Sequence, residues 1–557
     1  MSKNTNVAES IHAEAKKSLA FVNGLKESAL TNNVFDSAAA EDFVSGAINQ
    51  SSAKIPENLA VIFDEVGNDN KAIICRAVLD GVSTFETQHG QAVTGDLLRY
   101  AMHLGYATSD DAKRKYRGVL DNVAGEVYQP NRAVVAIQNA ISMAVPWLGY
   151  LPADIGSGKA VLAIASHYSG SAQGGYTVGG LMDGHYSGQP FMQASRVHLS
   201  NGGPIGTHTG KITHIQSTID TCDQAAGDTK LVRGRSVVYV NGRVAAREVD
   251  DTSGSGNSNI TGTVIVAGTS YAIAGAINTD TGVFSLTSTP ALALNIPPIV
   301  EGFLDYERSP DLIPILATDV KPYHIYASMF YGKTSQTIDS QTRMANELQL
   351  DPYSENMIAV QRQLDNERHY DALRKAKRLA VNNQATFDFN WAVQGLAKTR
   401  SQIWQDFGAT LGIVDQQMIL DTLNHGVSHV YCGKAFKAQC ESLPNEIFTP
   451  SGIRGAAGIY RVGRLFGKYE VYYLPAHPAM PLLTESSTAF QLLCIGQATD
   501  SARNPIVVGD AVPTTLIQLT PGANFSQGMG YFGKRFTAVN PHPQSSLGCA
   551  LINVTNN

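Results

Sequence analysis

The sequence predicts an α+β fold, in which helix-rich and strand-rich stretches occupy separate parts of the chain. Three observations carry this. The longest uninterrupted helix signal runs over 351–382. The first 125 residues or so show a succession of shorter helical patterns, and between 231 and 297 the texture changes to short β-type runs broken by turns.

The stretch 351–382 opens on Asp351-Pro352, an N-cap followed by proline at the first helical position, and stops at Asn382-Asn383. Acids Glu355, Asp365, Glu367 and Asp371 lie towards its start and bases Arg374, Lys375, Lys377 and Arg378 at its end, which complements the helix dipole. About thirty residues at ~1.5 Å each make a rod of roughly 45 Å. Met357, Val360, Leu364 and Leu373 form only an intermittent apolar stripe, so the rod reads as a partly solvated strut.

At 557 residues, with 43% hydrophobic and 16% charged, the chain has material for two to four domains with sizeable cores. A net charge of −6 argues against a protein whose main business is gripping nucleic acid. No run approaches the roughly eighteen apolar residues of a membrane span, and residues 1–23 lack an apolar signal core, so the chain reads as soluble and unsecreted by the standard route. Cys75, Cys222, Cys432, Cys440, Cys494 and Cys549 are scattered without a CxxC pair, which predicts buried free thiols.

Taken in order, residues 10–30 place Ile11, Ala15, Leu19, Val22 and Leu25 on one helical face. Further helices are predicted around 41–48, 58–65, 72–79, 96–104, 112–123 and 132–144, after which Val145-Pro146 turns the chain extended. A strand is predicted over 160–164, and the Gly-rich stretch 169–189 should be flexible or extended. Asn241-Gly242 between 236–240 and 243–246 is a strong hairpin signal. Residues 250–259 read as a Ser/Gly/Asn loop, followed by strands over 260–266, 271–277 and 283–286. Extended structure over 320–330 precedes the long helix. Beyond it come helices over 399–407 and 415–425, a strand over 427–432, a hairpin over 460–474, and strands over 490–495, 506–508, 514–519 and 534–539.

No enzyme motif is present: there is no GxSxG, no HExxH and no GxGxxG opening a helix after a strand. Gly156-Ser157-Gly158-Lys159 imitates a phosphate-binding loop, but Ala153 stands at the first glycine and Ala160 at the magnesium-binding position, so it reads as a turn starting a strand. His167, His185, His198, His208 and His214 lack the short fixed spacing of a zinc site. The sequence therefore offers no catalytic, cofactor-binding or metal residue.

The succession of segments, and several local stretches, resembles the major capsid proteins of tailed phages. Met143-Ala144-Val145-Pro146 followed by Gly158-Lys159-Ala160-Val161-Leu162-Ala163-Ile164 is similar to that family's passage from arm to first long strand. Residues 348–379 resemble its link and spine helix, and Phe466-Gly467-Lys468-Tyr469-Glu470-Val471-Tyr472-Tyr473-Leu474-Pro475 its axial strand. Residues 504–516 and the stretch from Gly530 to Asn540-Pro541 resemble its closing strands.

This resemblance covers roughly 132–541 and is nearest to large myophage capsid proteins with an inserted loop domain. It implies a Hong Kong 97-like fold. The segments would be an α-rich N-terminal extension (1–131), the start of the core with a Gly-rich extended loop (132–230), a β-rich insertion (231–310), a peripheral domain with the spine helix (311–395), an axial domain (396–485) and closing strands (486–557). It further implies a non-enzymatic protein without cofactors that self-assembles into hexamers and pentamers of an icosahedral head. Portal, scaffold and decoration proteins would be partners, and packaged double-stranded DNA would be touched weakly; no membrane is involved. Assembly would occur in the host cytoplasm and the product would be the virion. The alternatives are an encapsulin-like cellular shell protein and a phage tail or adhesin protein.

Overall fold

The computed structural model describes residues 2–31, 34–50, 55–66, 68–115, 131–202, 206–249, 255–293, 296–347, 352–486, 488–519 and 526–556. The fold is α+β, and the chain forms two compact units, Met1–Ile164 with Val320–Asn557, and Ala165–Asp319.

In the first unit the N-terminal helices are Ser2–Ala29, Ser37–Gln50, Glu57–Glu65, Asn68–His89, Gly95–Ala107, Asp110–Lys115 and Asn131–Ser142. The helix expected over 112–123 falls mostly outside the described residues. Apolar positions three and four apart bury Leu25, Val44, Leu59, Phe63, Val78, Leu98 and Ile137 in one core. Gly105 lets the helix Gly95–Ala107 approach Asn131–Ser142, because a Cβ there would sit 2.8 Å from Ile137. That same core runs on into Trp147, Leu373, Ala376, Tyr431 and Tyr472, so the N-terminal helices share it with the long helix and a sheet.

The long helix spans Pro352–Leu379 and ends in a single 3-10 turn, Ala380–Asn382. Asp351 lies outside the described residues. The helix stands beside a four-stranded sheet ordered Ser328–Thr337, Ser526–Val539, Ile506–Gln518 and Gly149–Tyr150. Ile506–Gln518 is one strand with bulges between Asp510 and Thr515, where the sequence suggests two; Pro513 lies within that bulged stretch.

A seven-stranded mixed sheet is ordered Gln384–Asp388, Cys549–Thr555, Phe490–Gly496, Val427–Cys432, Tyr469–Tyr473, Tyr460–Leu465 and Phe448–Pro450. The strand Cys549–Thr555, unread in the sequence, pairs with neighbours on both sides. Helix Arg400–Thr422 packs on this sheet through Trp404 and Phe407, whose rings meet Phe436. The two helices expected over 399–407 and 415–425 are thus one. Gly408 does not end it, because its missing side chain admits the Phe466 ring, 3.1 Å from where a Cβ would lie. That packing offsets the roughly 1 kcal/mol a helical glycine costs.

In the second unit nine strands form one sheet, ordered Ser195–Leu199, Ile299–Phe303, Val237–Val240, Arg243–Glu248, Asn257–Val266, Thr269–Asn278, Val283–Thr289, Thr207–Lys211 and Asn201–Gly202. The sheet curls until its rims approach: a Cβ on Gly210 would be 2.5 Å from the His198 ring. Val238, Ile260, Ile273, Phe284, Leu286 and Val300 fill the interior. Asn241 and Gly242, at φ 48° and 71°, make the expected hairpin turn. The expected loop over 250–259 is corrected in its described part. A strand begins at Asn257, and Ser258 pairs with Ile277 and is buried. Its small hydroxyl fills an inward position, hiding the period-two pattern. The Gly-rich stretch is tied down by backbone hydrogen bonds: the Gly174 N–H donates to the His214 carbonyl at 2.8 Å and Gly179 to Ser169 at 2.7 Å.

Candidate functional site

Gly156–Lys159 is a turn. The Asp154 carboxylate accepts from the Ser157 N–H and hydroxyl, both at 2.7 Å, Gly158 takes φ 67°, and Lys159 starts a strand. Of the five histidines singled out in the sequence, His167, His198, His208 and His214 have separate polar partners and His185 lies against the Tyr186 ring. His167 Nδ1 lies 2.8 Å from Asp183, His198 Nδ1 accepts from the Cys222 N–H at 3.1 Å, and His208 meets Ser288 at 3.3 Å. Among the described residues no group of three His, Cys, Asp or Glu is placed to hold a metal, and no helix is long and apolar enough to cross a membrane. All six cysteines are free and buried.

The feature that a single chain leaves unused is an extended arm. Strands Leu316–Tyr326 and Ser328–Thr337 run one after the other, and of their residues only Ile325 is buried. Tyr326 and Met329 are more than half exposed and Tyr331 is 74% exposed. Such side chains carry a large apolar area that a monomer gains by covering. Ser328–Thr337 has one hydrogen-bonding neighbour, Ser526–Val539, so among the described residues its other rim is open. Lys333 is the one charge on that strand, thin protection for an open edge.

The arm is held from behind by the long helix. Arg535 donates to the Leu364 carbonyl at 3.0 Å and lies over the Phe330 ring at 4.9 Å, and Lys375 bonds Asp371 at 2.6 Å and the Thr537 carbonyl. Arg368 pairs with Asp510, while Tyr100 donates to Asp510 at 2.5 Å and accepts from Arg368 at 3.2 Å. Burial alone would lower the Arg368 pKa; the Asp510 carboxylate reverses this and holds it above the ordinary value. Burial, then the Asp510 charge, raises Tyr100 well above the ordinary phenol. This three-way contact ties an N-terminal helix, the long helix and a strand into one support.

Sequence reading missed the arm's exposure and the Tyr100–Arg368–Asp510 contact. The dense aromatics from Tyr323 to Tyr331 were the available signal for the first. The second joins residues 410 positions apart, which no local pattern reveals.

No family model matches the chain, and no curated protein resembles it in sequence. Among solved structures, it is similar to the capsid of jumbo bacteriophage PhiKZ, at 11% identity and TM-score 0.36, over 74% of this chain and 92% of that one. The head structure of Helicobacter pylori bacteriophage KHP40 matches at 9% identity and TM-score 0.28, over 43% and 77%. An encapsulin complex from Synechococcus elongatus matches at 9% identity and TM-score 0.25, over 43% and 79%.

Proposed function

We propose that the chain is the major capsid protein of a tailed phage, closing as hexamers and pentamers into an icosahedral head around double-stranded DNA. The exposed arm carries this reading: a surface bearing Tyr326, Met329 and Tyr331 on open-edged strands is what a tiling subunit offers its neighbours. Contacts of that kind can each be modest, because many act at once in a closed shell. The order of segments supports it, with a long helix backing an extended arm, a β-rich unit within the chain and a separate mixed sheet. In this reading the long helix belongs to the peripheral domain, the seven-stranded sheet to the axial domain, and the Ala165–Asp319 unit to the extended loop and its insertion. The role is structural and not catalytic. The net charge of −6 suits a wall around packaged DNA, since a strongly basic lining would hold the genome too firmly. Portal, scaffold and decoration proteins are the proposed partners, and assembly in the host cytoplasm yields the virion.

The test is assembly itself. Expressed with its neighbouring genes, the chain should form particles of tens of nanometres by light scattering and electron microscopy. Tyr331→Ser combined with Met329→Ser should leave a folded subunit that no longer assembles. A wild-type chain that stays monomeric under every assembly condition would sink the proposal.

A further inference from the structure

Where the N-terminal helices meet the seven-stranded sheet and the long helix, three imidazoles surround a stacked pair of tyrosines. Tyr431 and Tyr472 are register partners on adjacent parallel strands, with ring centroids 5.3 Å apart. His89, at the end of the helix Asn68–His89, places Nδ1 2.9 Å from the Tyr472 hydroxyl. His369, on the long helix, places Nε2 3.1 Å from the Tyr431 hydroxyl. His429, on the same strand as Tyr431, has Nε2 3.3 Å from the Gln91 amide and Nδ1 2.8 Å from Ser428 Oγ.

The partners assign the protons. The Tyr431 oxygen receives the Trp147 indole N–H at 2.8 Å, so its own proton goes to His369, whose Nε2 must accept. The Ala144 carbonyl acts as a backbone acceptor for the His89 ring, so the ring keeps a proton for it and Nδ1 is assigned as acceptor of the Tyr472 hydroxyl. Ser428 donates to the Ile495 carbonyl at 3.2 Å, so His429 donates to Ser428 through Nδ1 and accepts from Gln91 through Nε2. Each imidazole is therefore neutral and accepts one hydrogen bond from a different element.

We propose that this seam is a proton-operated latch: acid turns its three accepting nitrogens into donors, breaks the bonds that cross it, and frees the helical region from the sheet.

The surroundings favour this. Arg461 reaches the site beside Gly90, lies near both His89 and His429, and its charge is taken by Glu470 at 2.5 Å, which also holds Arg464. Glu86, on the same helix as His89, is turned to Lys26, and Arg368, next to His369, is turned to Asp510. Glu470, Glu86 and Asp510 are thus already engaged by cations. Phe85, Trp147 and Tyr150 complete the packing with groups that stay neutral. Burial lowers His89 to about 4 and His369 and His429 to about 3. Because these folded values lie below the unfolded histidine value near 6.5, the contribution is complete above that pH. It is lost as pH falls from there towards 4 and 3. Asp365 on the long helix runs the other way, burial raising it to about 6. His103, which meets the Ala153 carbonyl at 2.9 Å and is also lowered by burial, adds to the effect if the whole helical region parts.

Hydrogen exchange of the full chain between pH 7 and 4.5, corrected for intrinsic rates, tests the latch. Each exposed histidine multiplies the opening constant roughly tenfold per pH unit. The helix Asn68–His89 should therefore open more than tenfold faster per unit below pH 6 while the strand Cys549–Thr555 stays protected. In His369→Gln, where the amide oxygen replaces Nε2 as acceptor, the dependence should fall by about tenfold per unit. A wild-type profile that is flat, or that runs parallel to Cys549–Thr555, would overturn the latch whether or not the variant folds. An unchanged slope in a folded His369→Gln would overturn it as well.

Discussion

Through the middle of the nine-stranded sheet, from Val237 to Thr289, strands next to one another in sequence pair through turns such as Asn241-Gly242, and aliphatic side chains with Phe284 make the apolar interior. Arg196, His198, His208 and Glu248 are among its buried polar exceptions. At the seam of the larger unit, residues hundreds of positions apart meet, and the buried groups are phenols, imidazoles, a guanidinium and a carboxylate. The first region is stabilised by area removed from water, which is graded and tolerant. The second rests on directed bonds in a low-dielectric setting, where losing one partner leaves another group unsatisfied. Substitutions should accordingly have small, local effects in the sheet and large, shared effects at the seam.

The largest effect should come from Leu373→Pro. Leu373 is fully buried in the core that joins the long helix to the N-terminal helices. Proline there removes the N–H that bonds one turn back to the His369 carbonyl and clashes with that oxygen, costing about 3 kcal/mol or more. Lost packing adds about 2 kcal/mol. That sum matches the lower end of a domain's stability of about 5–15 kcal/mol. Denaturation of the variant should unfold the larger unit early while exchange protection in Ala165–Asp319 persists; equal loss in both units would erase the contrast drawn here.

Next in size is the buried ion pair. Asp510→Ala strands Arg368, whose side chain is 13% exposed, and should cost roughly 3–5 kcal/mol. Arg368→Met with Asp510→Leu removes both charges and should return most of that loss. A double-mutant cycle by chemical denaturation checks it: additive losses would mean the pair is solvated and the seam is not the polar junction described.

The same contrast explains what the sequence revealed. Pro352–Leu379 was legible because caps, charge order and length all lie within one stretch, and the hairpin at Asn241-Gly242 because that turn is a local signal. Helix Arg400–Thr422 was misread as two because Gly408 serves a contact with Phe466, far along the chain. Ser258 was misread because a small hydroxyl can occupy an inward strand position. Nothing in the spacing of His89, His369 and His429 announces that they converge on two tyrosines. The arm's tyrosines were visible as residues but not as exposed ones, since exposure depends on what the rest of the fold fails to cover.

The smallest effect distinguishes the two faces of the strand Asn257–Val266. Ile260 is fully buried opposite Gly275, whereas Ile265, five residues on and therefore on the other face, is 58% exposed. Deleting one methyl from each asks how much a single contact in this sheet contributes. Ile260→Val should cost about 0.5–1.5 kcal/mol, from transfer of the methyl and the small cavity it leaves. Ile265→Val should stay within about 0.5 kcal/mol, since valine matches isoleucine in strand preference and the lost methyl was largely in water. Urea midpoints of the transition reporting on Ala165–Asp319 give both values. If the two variants shifted alike, the strand's outer face would be covered as well, whereas a larger loss from Ile265→Val than from Ile260→Val would put the strand's register off by one residue. A shift of several kcal/mol from Ile260→Val would show that the sheet shares the seam's all-or-none behaviour, and the difference between the regions would lie in sequence distance alone.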